Sequence, residues 1–127
     1  MPGTAQRFDG NAETTRFPNG EERVLKVHGL PVGLATFEPG WRWTNDVRPL
    51  VGADRCPRLH LGYALSGRLH VVYHDGSTLD IVAGDAFEIP PGHDAWVVGD
   101  EPVVLVDWGL SVRESANPAT ASPANPA

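Results

Sequence analysis

Turn-forming residues interrupt this chain so often that they limit it to short secondary-structure elements. Its 127 residues include 14 glycines and 12 prolines, and no window of about a dozen residues has convincing helical periodicity. Between the turns lie short segments rich in β-branched and aromatic residues, which are typical of strands. The segments predicted as strands are Val24–Val27, Val32–Phe37, Leu59–Leu65, Leu69–Tyr73, Thr78–Val82, Ala86–Ile89, Ala95–Val98 and Val103–Trp108. Such a series predicts an all-β sandwich or closed barrel with little or no helix.

The folded domain is predicted to occupy residues 23–112. Residues 1–22 are polar and rich in turn residues, so we expect a flexible N-terminal arm there. Residues 113–127 end in a low-complexity run of Ala, Pro, Asn, Ser and Thr. Because this composition cannot bury enough apolar surface to offset the entropy lost on ordering, we expect a disordered tail.

The charge balance argues against two classes of partner. Acidic residues outnumber basic ones by 16 to 10, the net charge is −6 and no basic run is present. Nucleic acids and anionic membranes both require clustered Lys and Arg, and the apolar runs are too short to span a bilayer. A single cysteine, Cys56, cannot form an internal disulfide and fits a reducing compartment. We therefore expect a soluble cytoplasmic protein that binds neither nucleic acid nor membranes.

One predicted strand has the composition of a cavity wall. Side chains alternate between the two faces of a strand, so His60, Gly62 and Ala64 share one face of Leu59–Leu65. A histidine and two very small residues fill a core poorly. We therefore expect this face to line a cavity into which the His60 imidazole reaches, although His60 could instead be a buried histidine hydrogen-bonded to Arg or backbone.

Two segments resemble the paired motifs of the cupin superfamily. The run GDAFEIPPGH at residues 84–93 is similar to the second motif, which has a Gly, five residues, a Pro, one residue, a Gly and a nearby His. Upstream, PGW at residues 39–41 and YALSG at residues 63–67 look like the first motif. The resemblance covers Val32–Trp108 and implies a jelly-roll-like cupin barrel of two antiparallel sheets. Such proteins are often homodimers and often bind one metal ion.

The resemblance also implies a set of metal ligands. The first cupin motif supplies two histidines and a glutamate, and these positions correspond here to Asp46, Arg48 and His60. Arg48 cannot bind a metal, whereas Asp46 and His60 can. The third histidine of the family corresponds to Ala95 when counted forward from the preceding turn, and to His93 when counted back from the following one. We prefer His93, because a strand anchors register more firmly than a variable turn.

A site of Asp46, His60 and His93 would suit a divalent transition metal, Fe, Mn, Ni or Zn, with positions open for substrate. Each residue also has an ordinary interpretation, since Asp46 could belong to a turn and His93 to a solvated loop. Cys56 has no second cysteine near it and is interpreted as a packed or peripheral thiol. The residues predicted to contact substrate are Trp41, Trp43, Arg48, Gly62, Ala64 and Trp96. Packing in an ordinary core is the alternative for the tryptophans, and solvation is the alternative for Arg48.

Two functions remain open on this evidence. The chain could be a metal-dependent enzyme that oxygenates, isomerises or decarboxylates a small organic molecule. It could also be a non-catalytic cupin that binds a small ligand or acts as a sensing or accessory domain, which the loss of both histidines from the first motif favours. No nucleophile elbow and no phosphate-binding glycine loop is present in the sequence, so we identify no catalytic residue.

Overall fold

The computed structural model describes residues 2–116 of the chain, with side chains to residue 112. Within this range short strands dominate, and turns or bends separate most of them. The elements are β1 (Glu13–Phe17), β2 (Gly20–Val27), β3 (Leu30–Phe37), α1 (Trp43–Asp46), α2 (Arg48–Val51), β4 (His60–Ser66), β5 (Arg68–Tyr73), β6 (Thr78–Val82), β7 (Ala86–Ile89), β8 (His93–Val97), β9 (Val103–Asp107) and α3 (Gly109–Ala116).

The strands form two antiparallel sheets. The larger sheet has the order β1-β2-β3-β9-β4-β7 and the smaller one the order β6-β5-β8. Apolar side chains from both sheets meet in a single core, as expected for strands with one face buried. The predicted all-β, two-sheet architecture is therefore confirmed. None of the helices among residues 2–116 is long and apolar enough to cross a membrane.

The predicted ends of the domain need correction. The segment expected to be a flexible arm, residues 1–22, contains all of β1 and the start of β2, which pair in continuous antiparallel register. Strand pairing satisfies the backbone polar groups of this segment and overrides its polar composition. At the other end, residues 113–116 complete α3 rather than beginning the tail. Residues 117–127, the rest of the predicted disordered tail, lie outside the described residues.

The long connection between β3 and β4 folds over one end of the smaller sheet. Arg42 has an extended backbone, with φ −143° and ψ 133°, so Trp41 and Trp43 on either side of it project to the same side. Trp41 accepts a hydrogen bond from the backbone N–H of Val97 through its carbonyl, at 3.1 Å. The buried carboxylate of Asp94 accepts hydrogen bonds from the Arg42 guanidinium at 2.9 Å and from the Thr44 amide at 3.2 Å. These contacts attach the connection to β8.

Candidate metal centre

Three potential metal ligands meet between the two sheets. Cys56, His60 and His93 are all buried, and each offers one ligand atom within 4.8 Å of the other two. The Cys56 sulfur lies 3.5 Å from Nε2 of His60. Two ligands bound at about 2.3 and 2.1 Å to one tetrahedral ion would lie roughly 3.6 Å apart. The cysteine and one histidine are thus already at the spacing that such an ion requires.

Different parts of the fold supply these three side chains. His60 begins β4 in the larger sheet, opposite Ile89 of β7, whereas His93 begins β8 in the smaller sheet, opposite Tyr73 of β5. Cys56 lies before β4 but is attached to β8. Its amide donates to the carbonyl of His93 at 2.9 Å, and its carbonyl accepts from the amide of Gly92 at 2.7 Å. The backbone therefore holds Cys56 beside His93, and the group spans both sheets.

Hydrogen bonds orient both imidazoles. Nδ1 of His60 donates to Oδ2 of Asp107 at 2.5 Å, and Nδ1 of His93 donates to the carbonyl of Pro90 at 2.8 Å. In the neutral form of each ring the proton therefore resides on Nδ1, and Nε2 has the lone pair that could bind a metal. Histidines that bind metals usually donate their other N–H to a carboxylate or carbonyl in this way.

The charges of the group stabilise a thiolate. Burial alone would raise the pKa of the Cys56 thiol, but hydrogen bonds and positive charge from His60 and His93 lower it to about 6. Burial alone would lower the pKa of His60, but its contacts with Asp107 and Cys56 raise it to about 9. Asp107 is also buried, and the hydrogen bond from His60 nevertheless holds the pKa of its carboxyl below the usual range. Since metals bind thiolates rather than thiols, the site favours the form of Cys56 that can act as a ligand.

A buried ion pair lies behind Asp107. The guanidinium of Arg58 is 3.6 Å from the carboxylate of Glu22, and both side chains are almost fully buried. Burial raises the pKa of the Glu22 carboxyl, and the charge of Arg58 opposes this rise. The positive charge of Arg58 also helps to keep Asp107 ionised, which preserves the carboxylate that orients His60.

A small cavity adjoins the two histidines. The volume open to the centre of a water molecule is about 30 Å³, enough for about two waters. Its polar side chains are those of His60, His93 and Asp107, together with the indoles of Trp41 and Trp43. The rest of the lining is apolar and comprises Ala35, Phe37, Leu69, Ile89, Ala95 and Leu105. Any molecule bound here in this conformation must be very small.

The structure brings His60 and His93 together, as the predicted site requires, but it does not bring Asp46 to them. The Asp46 carboxylate accepts hydrogen bonds from the amide of Arg42 at 2.9 Å and from the side chain of Asn19 at 3.4 Å. These contacts stabilise the turn of α1. Asp46 is therefore corrected from a metal ligand to a residue that supports the loop.

Cys56 occupies the third place in the group, and it is a packed thiol of the core, which is one of the two interpretations that the sequence allowed. The sequence does carry a signal for it, since Cys56 and His60 are close in the chain and both residue types bind metals. Recognising that signal required knowing that the segment between them turns back toward the start of β8. This turn has no pattern that composition reveals.

Among the predicted substrate contacts, Trp41 and Trp43 line the cavity, whereas the other four do not. Arg48 is exposed at the start of α2. Trp96 is on the outer face of the smaller sheet, where it contacts His70 and the Arg42 guanidinium lies 4.6 Å from its ring. His70 is likewise on the outer face of this sheet. Gly62 and Ala64 share the face of His60 but pack in the core.

Gly62 shows why the predicted cavity wall is wrong at that position. A Cβ atom there would lie 1.9 Å from the carbonyl oxygen of Val106 and 2.7 Å from the ring of Phe87. The missing side chain is replaced by a neighbouring strand and a phenylalanine ring rather than by empty space. A small residue on a buried face therefore marks a close approach here, and the cavity begins only at the His60 end of the strand.

The fold and this group of side chains define a class of protein, namely a two-sheet β domain with potential metal ligands between its sheets. Comparisons with known proteins are consistent with this class. The family model described as "Cupin domain" matches residues 53–109, which include all three potential ligands. No curated protein sequence matches the chain.

Solved structures with this fold share little sequence with the chain. A protein of unknown function from Vibrio parahaemolyticus is 12% identical, with a TM-score of 0.56 over 78% of this chain and 99% of that one. An RmlC-like cupin from Shewanella frigidimarina is 21% identical, with a TM-score of 0.50 over 82% of this chain and 92% of that one. A mutant of Bacillus subtilis oxalate decarboxylase is 24% identical, with a TM-score of 0.50 over 75% of this chain and only 26% of the larger enzyme. Residues 53–109 of the chain therefore match the cupin domain family, and these solved structures share its fold.

Proposed function

We propose that this cupin binds one divalent transition metal through Cys56, His60 and His93 and uses it to act on a small organic molecule. The observation that carries the proposal is the convergence of these three donors, with the far nitrogen of each imidazole already engaged. One thiolate and two imidazoles favour Zn, Fe, Ni or Co over the harder ions Mg and Ca. Mn, which prefers oxygen ligands, fits this donor set less well than it fits the set with Asp46.

The side chains around the proposed site suit a catalytic role better than a purely structural one. Catalytic zinc sites commonly have three protein ligands and leave a fourth position open, and here the cavity adjoins the two histidines. When bound, the metal would act as a Lewis acid toward an oxygen of the substrate. Asp107 would hold the His60 ring in its ligating tautomer, and the apolar lining would exclude bulk water. Whether the reaction is an oxygenation, an isomerisation or a decarboxylation depends on the metal and the substrate.

A cysteine nucleophile is a second candidate, because Cys56, His60 and Asp107 stand in the order of nucleophile, base and orienting carboxylate. We favour the metal site for two reasons. A nucleophile would not require His93, which contributes a donor to the same group. Cys56 is 1% exposed and is not part of the cavity lining, so a substrate would have difficulty reaching its sulfur.

The test is to prepare metal-free protein, reload it separately with Zn, Fe(II), Mn, Ni and Co(II), and measure bound metal by elemental analysis. We expect one ion per chain in the wild type, and a thiolate charge-transfer band in the Co(II) form. Cys56→Ser should abolish the band, and His93→Ala should lower the stoichiometry.

His70→Ala is the matched control. Nδ1 of His70 also donates a hydrogen bond to a carboxylate, that of Asp80 at 2.8 Å, but His70 lies on the outer face of the smaller sheet. It should leave loading unchanged. Failure of every ion to bind would refute the metal site. Rapid alkylation of Cys56 by iodoacetamide in such a protein would then favour the nucleophile. Loading without turnover of any small carboxylic or carbonyl compound would favour a ligand-binding module.

We also propose that the protein is a cytoplasmic homodimer. A free thiol in the site fits a reducing compartment, and Tyr63 and Leu65 are 42% and 52% exposed on the outer face of β4. Light scattering of the wild type and of Leu65→Glu would test the dimer. A monomeric wild type would contradict it.

A further inference from the structure

Two indole N–H groups are buried beside the cavity without an acceptor. Trp41 and Trp43 are 3% and 1% exposed, and neither Nε1 atom has a hydrogen-bond partner among the described residues. Buried indole N–H groups normally find a partner, because an unsatisfied buried donor loses its hydration without compensation. Two such donors in neighbouring side chains indicate that something absent from the protein itself accepts from them.

The cavity is the space that both indoles share. Trp41 and Trp43 lie on the same side of the extended Arg42 backbone and line the cavity together with His60 and His93. The Trp41 ring is held in place by stacking on Phe37, with ring centroids 4.0 Å apart. Both indoles therefore belong to the same lining as the imidazoles of the proposed metal site, and packing fixes the ring of Trp41 there.

We propose that Trp41 and Trp43 are specificity residues whose N–H groups bind the oxygen atoms of a small carboxylate ligand or substrate in this cavity. An indole N–H can only donate, so its ligand must accept. A divalent ion held by one thiolate and two neutral imidazoles keeps one positive charge, to which an anion can bind directly although the Asp107 carboxylate also lines the cavity. The inference rests on the proposed metal site, since the carboxylate would bind between the indoles and the metal.

The size and polarity of the cavity narrow the ligand further. About 30 Å³ suits a carboxylate with one or two carbon atoms and excludes an aromatic acid. A water molecule could accept from the indoles, but its own two hydrogens would need acceptors, and both oxygens of the Asp107 carboxylate already accept from His60 and Gly109. A carboxylate needs none, and its carbon end fits the apolar part of the lining.

The test uses zinc-loaded protein in a non-coordinating buffer, titrated with sodium acetate and followed by calorimetry. Trp41→Phe and Trp43→Phe each remove one N–H while keeping an aromatic ring. Trp108→Phe is the matched control, because Trp108 is 39% exposed and does not line the cavity. We expect each cavity variant to bind acetate about tenfold more weakly or worse, since hydrogen bonds to charged groups are among the stronger ones. The control should bind as the wild type does.

Bound zinc is measured in the same samples, so that the two proposals fail separately. If zinc loading is full and acetate binds equally to the wild type and both cavity variants, or does not bind at all, the carboxylate inference is overturned. If zinc itself does not bind to the wild type, the proposed metal site fails instead. Should one variant fail to fold, the other still tests the inference, because each indole contributes its own donor.

Discussion

Replacing Asp107 by Asn tests whether the hydrogen bonds around His60 serve metal binding. The Asp107 carboxylate accepts at both oxygens, from Nδ1 of His60 at 2.5 Å and from the amide of Gly109 at 2.7 Å. An asparagine has one acceptor and one donor group and cannot satisfy both. If its NH₂ faces His60, the ring must accept at Nδ1 and carry its proton on Nε2, the atom that would bind the metal.

The expected loss of metal affinity follows from the two possible orientations of the asparagine amide. With the NH₂ toward His60, the tautomer is wrong for binding. With the NH₂ toward Gly109, two donors face each other and the imidazole loses its anionic partner. Removing such a partner of a metal-bound histidine typically weakens metal affinity by about 10–100-fold, which corresponds to roughly 1.4–2.7 kcal/mol. We expect Asp107→Asn to fall in this range.

Competition with a chromophoric chelator gives the zinc dissociation constants of the wild type and the variant. Asp80→Asn is the matched control, because Asp80 accepts from Nδ1 of His70 at 2.8 Å in the same way on the exposed face of the smaller sheet. It should leave the dissociation constant unchanged. An unchanged constant in Asp107→Asn, or an equal loss in the control, would refute the argument that the His60–Asp107 pair prepares a ligand.

Three further predictions concern the same region. In the metal-free site the pKa of His60 is about 9 and that of Cys56 is about 6. At pH values between these two, zinc binding should release one proton, that of His60. The zinc dissociation constant should therefore rise about tenfold for each unit by which the pH falls. Titrations across roughly pH 7 to 8.5 check this slope, and a constant independent of pH would contradict it. Asp46→Ala should lower the free energy of unfolding by about 1 kcal/mol in denaturant titrations, because the Arg42 amide loses its acceptor, while zinc stoichiometry stays unchanged. Gly62→Ala should lower the free energy of unfolding, measured by thermal unfolding, by about 3 kcal/mol, because its Cβ would overlap the carbonyl of Val106. If this variant were as stable as the wild type, β4 and β9 would have to be able to separate locally.

The sequence predicted the architecture well because the signals for it are local. Frequent turns and alternating strands are read residue by residue, and they predicted two antiparallel sheets without any knowledge of contacts. The first strand was missed for the opposite reason. Residues 13–16 are polar and exposed or half-buried on an edge strand, where Phe17 alone is buried, and they form a strand only because β2 offers them a partner. Pairing of this kind depends on tertiary structure and leaves little trace in composition.

In the candidate site, too, the features with local signals were predicted and those that depend on tertiary structure were missed. His60 was predicted from the alternation of its strand, which is local. His93 and Ala95 both line the cavity, because residues two apart on β8 share a face. The two alternatives for the third histidine of the family, His93 and Ala95, therefore lie on the same wall of the cavity and differ only in their position along β8. Cys56 rather than Asp46 lies beside the two histidines, because irregular loops decide which side chains reach the centre of the domain. Neither loop has a periodic pattern that reveals its path.

The distribution of the three donors over the fold has a mechanical consequence. His60 belongs to the larger sheet, and Cys56 and His93 are joined by backbone hydrogen bonds at the edge of the smaller one. An ion bound by all three would act as a cross-link between layers that otherwise meet through side-chain packing. Loading would then slow amide hydrogen exchange at the start of β4 and β8 together, and removal of the ion would let this end of the barrel open. Binding of the ion and opening of the cavity would thus be coupled, since each bound ion would hold this end of the barrel closed.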